Sequence, residues 1–377
     1  MQFVTVEGRS LKHALKPLVD VIERRSTVPI LGYVRLALES DGLRLSATDL
    51  DIEVETRFDV IDGDRAGGWS LCLPAQALAG IAQVAGVMPV RIVLGSGQEA
   101  AKTVISVGDD EVVYTLDALH AADFPTGIVM RGALLETFSN GQLATQLDKV
   151  RAFISTEETR YYLNGVCWHR GPLGSRFVAT DGHRLACCRV SADPIEPVAR
   201  IIPRKAINLI SKHMAGLDVR VHEREGGTAL SGLAFETDRL SIRTKLIDGA
   251  YPDFDKILAP VVEKSGAFVL ALKRPDVSAA LARLGVFGRD IGRAVRFDAQ
   301  DGRLVLVRSG GDGGARAKTA SPWPEGLTPF GLNAVYFGDM VSGCAGDITL
   351  GLSAPSDPLL IKDSDAEMTR VLMPMRV

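Results

Sequence analysis

The feature that most narrows what this chain can fold into is a faint threefold repeat. "LPAQALAGIAQVAG", from Leu73, and "IPRKAINLISKHMAG", from Ile202, each place a proline ahead of an amphipathic run and close on Ala-Gly. "GLNAVYFGDMVSG", from Gly331, has the same shape. Successive copies lie roughly 130 residues apart, the interval of a repeated structural unit. A second landmark keeps that interval: "SATDLDIEV" around Asp49 and "VATDGHRLA" around Asp181 both set Ala-Thr-Asp between strand-like runs. "DFP" at Asp123 and "YPDF" at Tyr251 close the first two units. The boundaries fall at 124–132 and 252–262, both turn-rich and proline-bearing, as linkers often are. The modules are then 1–126, 133–254 and 262–377, each of about 125 residues.

Each unit runs through the same elements: a strand, an amphipathic helix, strands, a second helix and more strands. In the first helix Leu11, Ala14, Leu15, Leu18 and Ile22 follow helical spacing, and Pro17 inside it is expected to bend or weaken it. Its counterparts carry Leu143, Leu147, Val150 and Ile154, then Val277, Ala280, Leu281 and Leu284. The second helices use Leu78, Ile81 and Ala85, then Ile207, Ile210 and Met214. Runs such as "LRLSATDLDIEVETRFDV" alternate with period two, so the class is α+β: three tandem similar domains, each with helices on antiparallel sheet.

Net charge is −3, which by itself argues against a nucleic-acid binder. Its distribution reverses that reading. The stretches 9–25, 74–86, 139–154, 203–216, 273–285 and 331–343 hold thirteen basic and five acidic residues, so the helices are net positive and the remainder acidic. Because the apolar face of each helix packs on the sheet, the basic face looks outward. A surface of that kind attracts duplex DNA without reading its sequence; a lysine- and arginine-rich solvent face is the plainer alternative.

Five cysteines, Cys72, Cys167, Cys187, Cys188 and Cys344, are scattered and odd in number, which suggests reduced thiols in a cytoplasmic protein. The histidines never combine with cysteine at zinc spacing, and no cofactor motif is present. No apolar run approaches a membrane span, and "MQFVTVEGRS" is no secretory signal. "SGGDGGARAKT", from Ser309, superficially resembles a phosphate loop, but it has Ala317 where glycine is required, and it reads as a hairpin tip. Asp181 beside His183 invites an acid–base reading. No nucleophile or metal motif accompanies the pair, so a turn in which Asp181 caps backbone amides is the stronger expectation.

"TVPILGYV", "ATDLDIEVETR", "AADFP", "RYYLNGV", "VATDGHRLA", "IIPRKAI", "KLIDGAYPDFDKIL" and the terminal "VLMPMRV" resemble, from end to end, the sliding clamps, the β subunits of bacterial DNA polymerase III. The resemblance implies a head-to-tail homodimer closing into a ring, helices lining the inside and antiparallel sheets outside. Such a ring encircles double-stranded DNA and performs no chemistry. It would tether the polymerase III alpha subunit, and take the clamp loader, other DNA polymerases and repair factors, through their linear motifs. The implied motif pocket uses Leu163, Thr180, Gly182, His183, Arg184 and Leu185, then Pro252, Lys256 and Ile257, then Asn333, Tyr336, Met373, Pro374, Met375 and Arg376. Arg25, Tyr161, Tyr162, Arg204 and Lys205 resemble DNA-facing positions; the tyrosines would stack on single-stranded template or pack at a sheet edge. Tyr114 and Leu116 would meet Val286 and Phe287 of the second protomer. The chain departs from the family pattern at Gln76, Glu157 and Ala250, which puts the strength of DNA contact in doubt. At Gly292 a pocket wall would be missing, and a wider pocket is expected.

Overall fold

The structure, a computed structural model, describes residues 2–23, 25–65, 68–95, 102–108, 111–125, 132–194, 197–223, 232–285, 294–310 and 313–377. Two compact units account for it, one of Met1–Thr145 with Lys205–Leu246, the other of Gln146–Arg204 with Ile247–Val377. The described helices are α1 (Gly8–Val21), α2 (Ala75–Ala85), α3 (Gln142–Arg151), α4 (Arg204–His213), α5 (Asp255–Lys264), α6 (Arg274–Leu284) and α7 (Ala334–Ser342). Six of them match the six expected stretches. The seventh, α5, falls in the second expected linker and carries Pro260 within it.

Helical spacing and burial agree closely. Leu11, Leu15 and Leu18 of α1 are fully enclosed, as are Leu143, Leu147 and Val150 of α3 and Ile207 and Ile210 of α4. Pro17 does not break α1, which stays helical to Val21; Val21, not Ile22, is the last buried residue of that stripe. The Ala-Gly endings also have a cause. Gly86 and Gly216 sit at φ of 58° and 75°, left-handed backbone that glycine adopts without strain and that stops a helix. A Cβ on Gly141 would meet the Gly216 nitrogen at 2.5 Å, so the start of α3 and the segment after α4 approach as only glycines allow.

Every strand pair among the described residues is antiparallel. Among the described residues the first unit holds a five-stranded and a nine-stranded sheet, the second an eight-stranded and a four-stranded one. The large sheets run across the repeats. Ile52–Phe58 of the first repeat pairs with Leu240–Lys245 of the second, Val54 opposite Ile242. Arg184–Ser191 of the second pairs with Met368–Leu372 of the third, Ala186 opposite Arg370. The middle repeat is therefore shared between the two units. The phosphate-loop alternative at Ser309 disappears: Arg303–Gly310 and Gly313–Pro322 form a hairpin, Gly310 opposite Gly313.

Candidate functional site

The Thr180–Arg184 segment is a closed turn between two strands. The Thr180 hydroxyl donates to the Arg184 carbonyl at 2.8 Å and accepts from the Gly182 amide at 3.1 Å. Asp181 Oδ1 accepts the His183 and Arg184 amides at 2.9 and 3.0 Å. Its Oδ2 accepts Arg184 Nε at 3.0 Å. Both carboxylate oxygens are engaged in holding the turn, so Asp181 acts as a structural acceptor rather than as a base. Gly182 stands at the apex with φ 87°, where a side chain would be strained.

Arg184 is the anchor of this region, 9 % exposed. Beyond Asp181, its Nη1 reaches Asp339 Oδ2 at 3.0 Å and its Nη2 donates to the Ala152 carbonyl at 2.7 Å. The guanidinium lies 4.3 Å from the Tyr336 ring centre. The same ring stacks on His183 at 6.1 Å. Tyr336 is set by its helix start: Asn333 caps α7, accepting the Val335 and Tyr336 amides at 3.0 and 3.2 Å.

The C-terminal segment closes the region from the other side. The Met373 amide donates to the His183 carbonyl and the Met375 amide to the Gly331 carbonyl, both at 2.9 Å. Both methionine side chains remain exposed. A cleft of about 440 Å³ opens here, lined by Gly182, Lys256, Ile257, Met373 and, unforeseen from the sequence, Pro260 and Pro358. The unforeseen residues belong to α5 and to the loop at 353–358. Arg176 holds the N-terminus of α5 through a bidentate pair with Asp255 at 2.7 and 2.8 Å. That pairing keeps the Asp255 carboxyl below the usual aspartate range. Leu258 and Val261 then fix the helix into a cluster with Leu185, Cys187, Leu360 and Val371.

Of the other pocket candidates, Leu163 and Leu185 are core residues. Pro252 and Arg376 are exposed, and Pro374 is half-buried. Gly292 lies outside the described residues.

The candidates for DNA contact divide. Arg25 is exposed and Arg204 half-buried. Tyr161 and Tyr162 sit on a short 3-10 turn, Glu158–Leu163, and not on a sheet edge. Their rings meet edge to face at 5.8 Å, and Tyr161 is 55 % exposed. Lys205 is already committed: its Nζ donates to Asp49 Oδ2 at 2.5 Å and to the Val21 carbonyl at 2.7 Å. Lys212 is also paired, with Asp20 at 2.6 Å. Of the positions that depart from the family pattern, Gln76 and Ala250 are exposed, and Glu157 pairs with Arg160 at 3.6 Å.

Tyr114 and Leu116 lie on Val112–Asp117, the last strand of the five-stranded sheet, whose outer edge pairs with no strand among the described residues, and Val112 and Val113 are exposed. Such an edge is a template for a second chain. Val286 and Phe287 lie outside the described residues. The five thiols are buried and unbridged. Burial pushes Cys72, Cys167 and Cys187 up to about 12, so none is a ready nucleophile.

Family models for the DNA polymerase III beta subunit match residues 1–128 (N-terminal domain) and 137–253 (central domain). The chain is 31% identical to the beta sliding clamp of Caulobacter vibrioides over 99% of its own length and 100% of that protein. Solved clamps from Pseudomonas aeruginosa and Bartonella birtlesii, both bound to griselimycin, match over 100% of both chains with TM-scores of 0.89 and 0.87 at 25% and 32% identity. End-to-end similarity, the repeated α+β plan and the sheets joined across repeats converge: the chain belongs to the bacterial sliding-clamp family, the beta subunits of DNA polymerase III.

Proposed function

We propose that this chain is a non-catalytic processivity factor: two copies close head to tail into a ring around duplex DNA and tether the replicative polymerase. Three modules, 1–126, 133–254 and 262–377, supply each half of the ring. The observation that carries the reading is the antiparallel strand pairing at both repeat joints, Ile52–Phe58 with Leu240–Lys245 and Arg184–Ser191 with Met368–Leu372. It makes a scaffold in which one end strand, Val112–Asp117, pairs on its outer side with no strand among the described residues and would pair with a second copy. Enclosure suits sequence-blind sliding, because weak phosphate contacts do not stall the ring. A polymerase held by the ring meets the primer end at high effective concentration.

The partner pocket is assigned to the cleft beside the Thr180–Arg184 turn, with Ile257 and Met373 as adaptable apolar walls and His183, Arg184 and Tyr336 as the polar and aromatic side. Linear motifs of the polymerase alpha subunit, the clamp loader, other polymerases and repair factors would compete for it. The griselimycin-bound relatives support a ligand site on this fold. Among the described residues no helix is long and apolar enough to cross a membrane. Unbridged thiols suit the reducing cytoplasm, where we place the chain. Light scattering tests the assembly, with a mass of two chains expected. Primer extension on a primed circle tests the pocket: Met373→Lys is expected to abolish stimulation of the polymerase while leaving the dimer intact. A monomer, or full stimulation by Met373→Lys, would refute the respective half of the reading.

A further inference from the structure

The cations on the described helices are not equally available. Both cations of α3 are spent in ion pairs, Lys149 with Asp365 at 2.5 Å and Arg151 with Asp148 at 2.8 Å. α4 ties Lys205 to Asp49 and Lys212 to Asp20, and α6 turns Arg274 onto the Val341 and Ser342 carbonyls. α1 is the exception. Its Arg9, Lys12 and Lys16 meet no carboxylate among the described residues, and Arg9 and Lys16 are exposed. Arg204 apart, the free positive charge of α1, α2 and α4 sits on α1.

Beside that helix lies a groove of about 380 Å³. Lys12 and Lys16, neighbours on one helix face, form one wall. Ala79 and Gln83 of α2 form the other, and α2 carries no charged residue. Leu15 and Val19 give the groove an apolar floor. Asp20, its one acidic lining residue among those described, is already held by Lys212 and His213, each at 2.6 Å. We infer that this groove seats the sugar–phosphate backbone of duplex DNA. Lys12 and Lys16 take its phosphates, Gln83 donates to a phosphate oxygen from the facing wall, and the apolar floor packs against deoxyribose. The small side chains of α2 let the strand approach. Two point charges and one amide read no bases, so the contact stays blind to sequence. The inference rests on the enclosure reading, which brings DNA to the helices, and adds where on each protomer the strand is held.

The probe is a short fluorescein-labelled duplex, titrated with the full-length protein over a range of salt and followed by anisotropy. The readout is the slope of log affinity against log salt. Lys12→Ala and Lys16→Ala should each lower it by about 0.9, and the double variant by about 1.8. Gln83→Lys, which adds a cation on the facing wall, should steepen it by about 0.9. Lys149→Ala should leave it unchanged, because that cation is tied to Asp365. All four positions tolerate a folded chain in this account, so circular dichroism melts should match the wild type. An unmoved slope in the double variant, or an equal loss in Lys149→Ala, would overturn the assignment. So would polyglutamate of the duplex's charge that binds as tightly and depends equally on Lys12 and Lys16. Light scattering separates the two readings: a single-chain mass refutes the ring, whereas an unmoved slope in an intact dimer refutes the groove alone.

Discussion

Thr48 and Thr180 occupy the same place in two turns. Each hydroxyl donates to the carbonyl four residues on, at 2.9 Å to Ile52 and 2.8 Å to Arg184. Asp49 and Asp181 each accept two amides through Oδ1. The apex is left-handed in both, Leu50 at φ 81° and Gly182 at φ 87°. What differs is the residue that takes the remaining carboxylate oxygen. Asp49 Oδ2 holds Lys205 from α4, whereas Asp181 Oδ2 holds Arg184 of its own turn, which continues to Asp339 and Tyr336. One backbone device thus serves as a clasp in the first repeat and as the floor of a candidate pocket in the second. The turn belongs to the repeat; the pocket belongs to the side chains added around it.

The comparison breaks most visibly at the anchor. Arg184→Ala removes a nearly buried guanidinium and strands Asp181, which is itself little exposed. A loss of about 3 kcal/mol is expected by chemical denaturation, together with loss of motif-peptide binding. Lys205→Ala should cost only about 1 to 2 kcal/mol, because Lys205 is partly solvated and water can replace it. Equal costs would mean that the two turns are energetically alike.

The apex sharpens the contrast. Gly182→Ala should lose about 1 to 2 kcal/mol, since its Cβ would be strained at that φ and would stand 2.7 Å from Arg160 Nη1. Leu50→Gly relieves the same strain against a greater entropy loss, and a change below about 1 kcal/mol is expected. Thermal melts of the two variants check both values.

A smaller effect lies in the α5 wall beside the second turn. The hydrogen bond from Arg176 lowers the Asp255 pKa in the folded state. The stability this pair contributes is therefore fully present above the ordinary aspartate pKa, about 4, and is lost as pH falls through the lower folded value. Asp255→Asn should flatten stability against pH in that acidic window and change nothing in its slope near neutrality. The smallest effect concerns DNA. Because Lys205 is spent on Asp49, Lys205→Ala should leave the salt dependence of DNA affinity almost unchanged, whereas Arg25→Ala should lower the slope by about 0.9.

The repeat and six of the helices were legible in the sequence because apolar spacing maps directly onto burial, as Leu11, Leu143 and Ile207 show. The Asp181 turn was legible too, since its bonds are local. Bonds between distant residues were not. Nothing near Lys205 announces Asp49, 156 positions away, so a cation that looked available for DNA is held inside the fold. The α5 wall was missed because Pro252 and Pro260 mark a linker by local chemistry, while the cluster that makes the segment helical, Leu258 and Val261 against Val371 and Leu360, comes from sequence far downstream. The charge of the helices was read correctly as a count and too strongly as a field, since Lys149, Lys205 and Lys212 are each paired with an aspartate.

Enclosure is the central claim, and topology tests it most directly. The protein, loaded by its clamp loader onto a nicked circular plasmid and isolated by gel filtration, should co-elute with the circle in moderate salt. It should run off within minutes once a single restriction cut makes ends. Equal retention on circular and linear DNA would show a grip on the duplex instead of a ring around it, and would contradict the account.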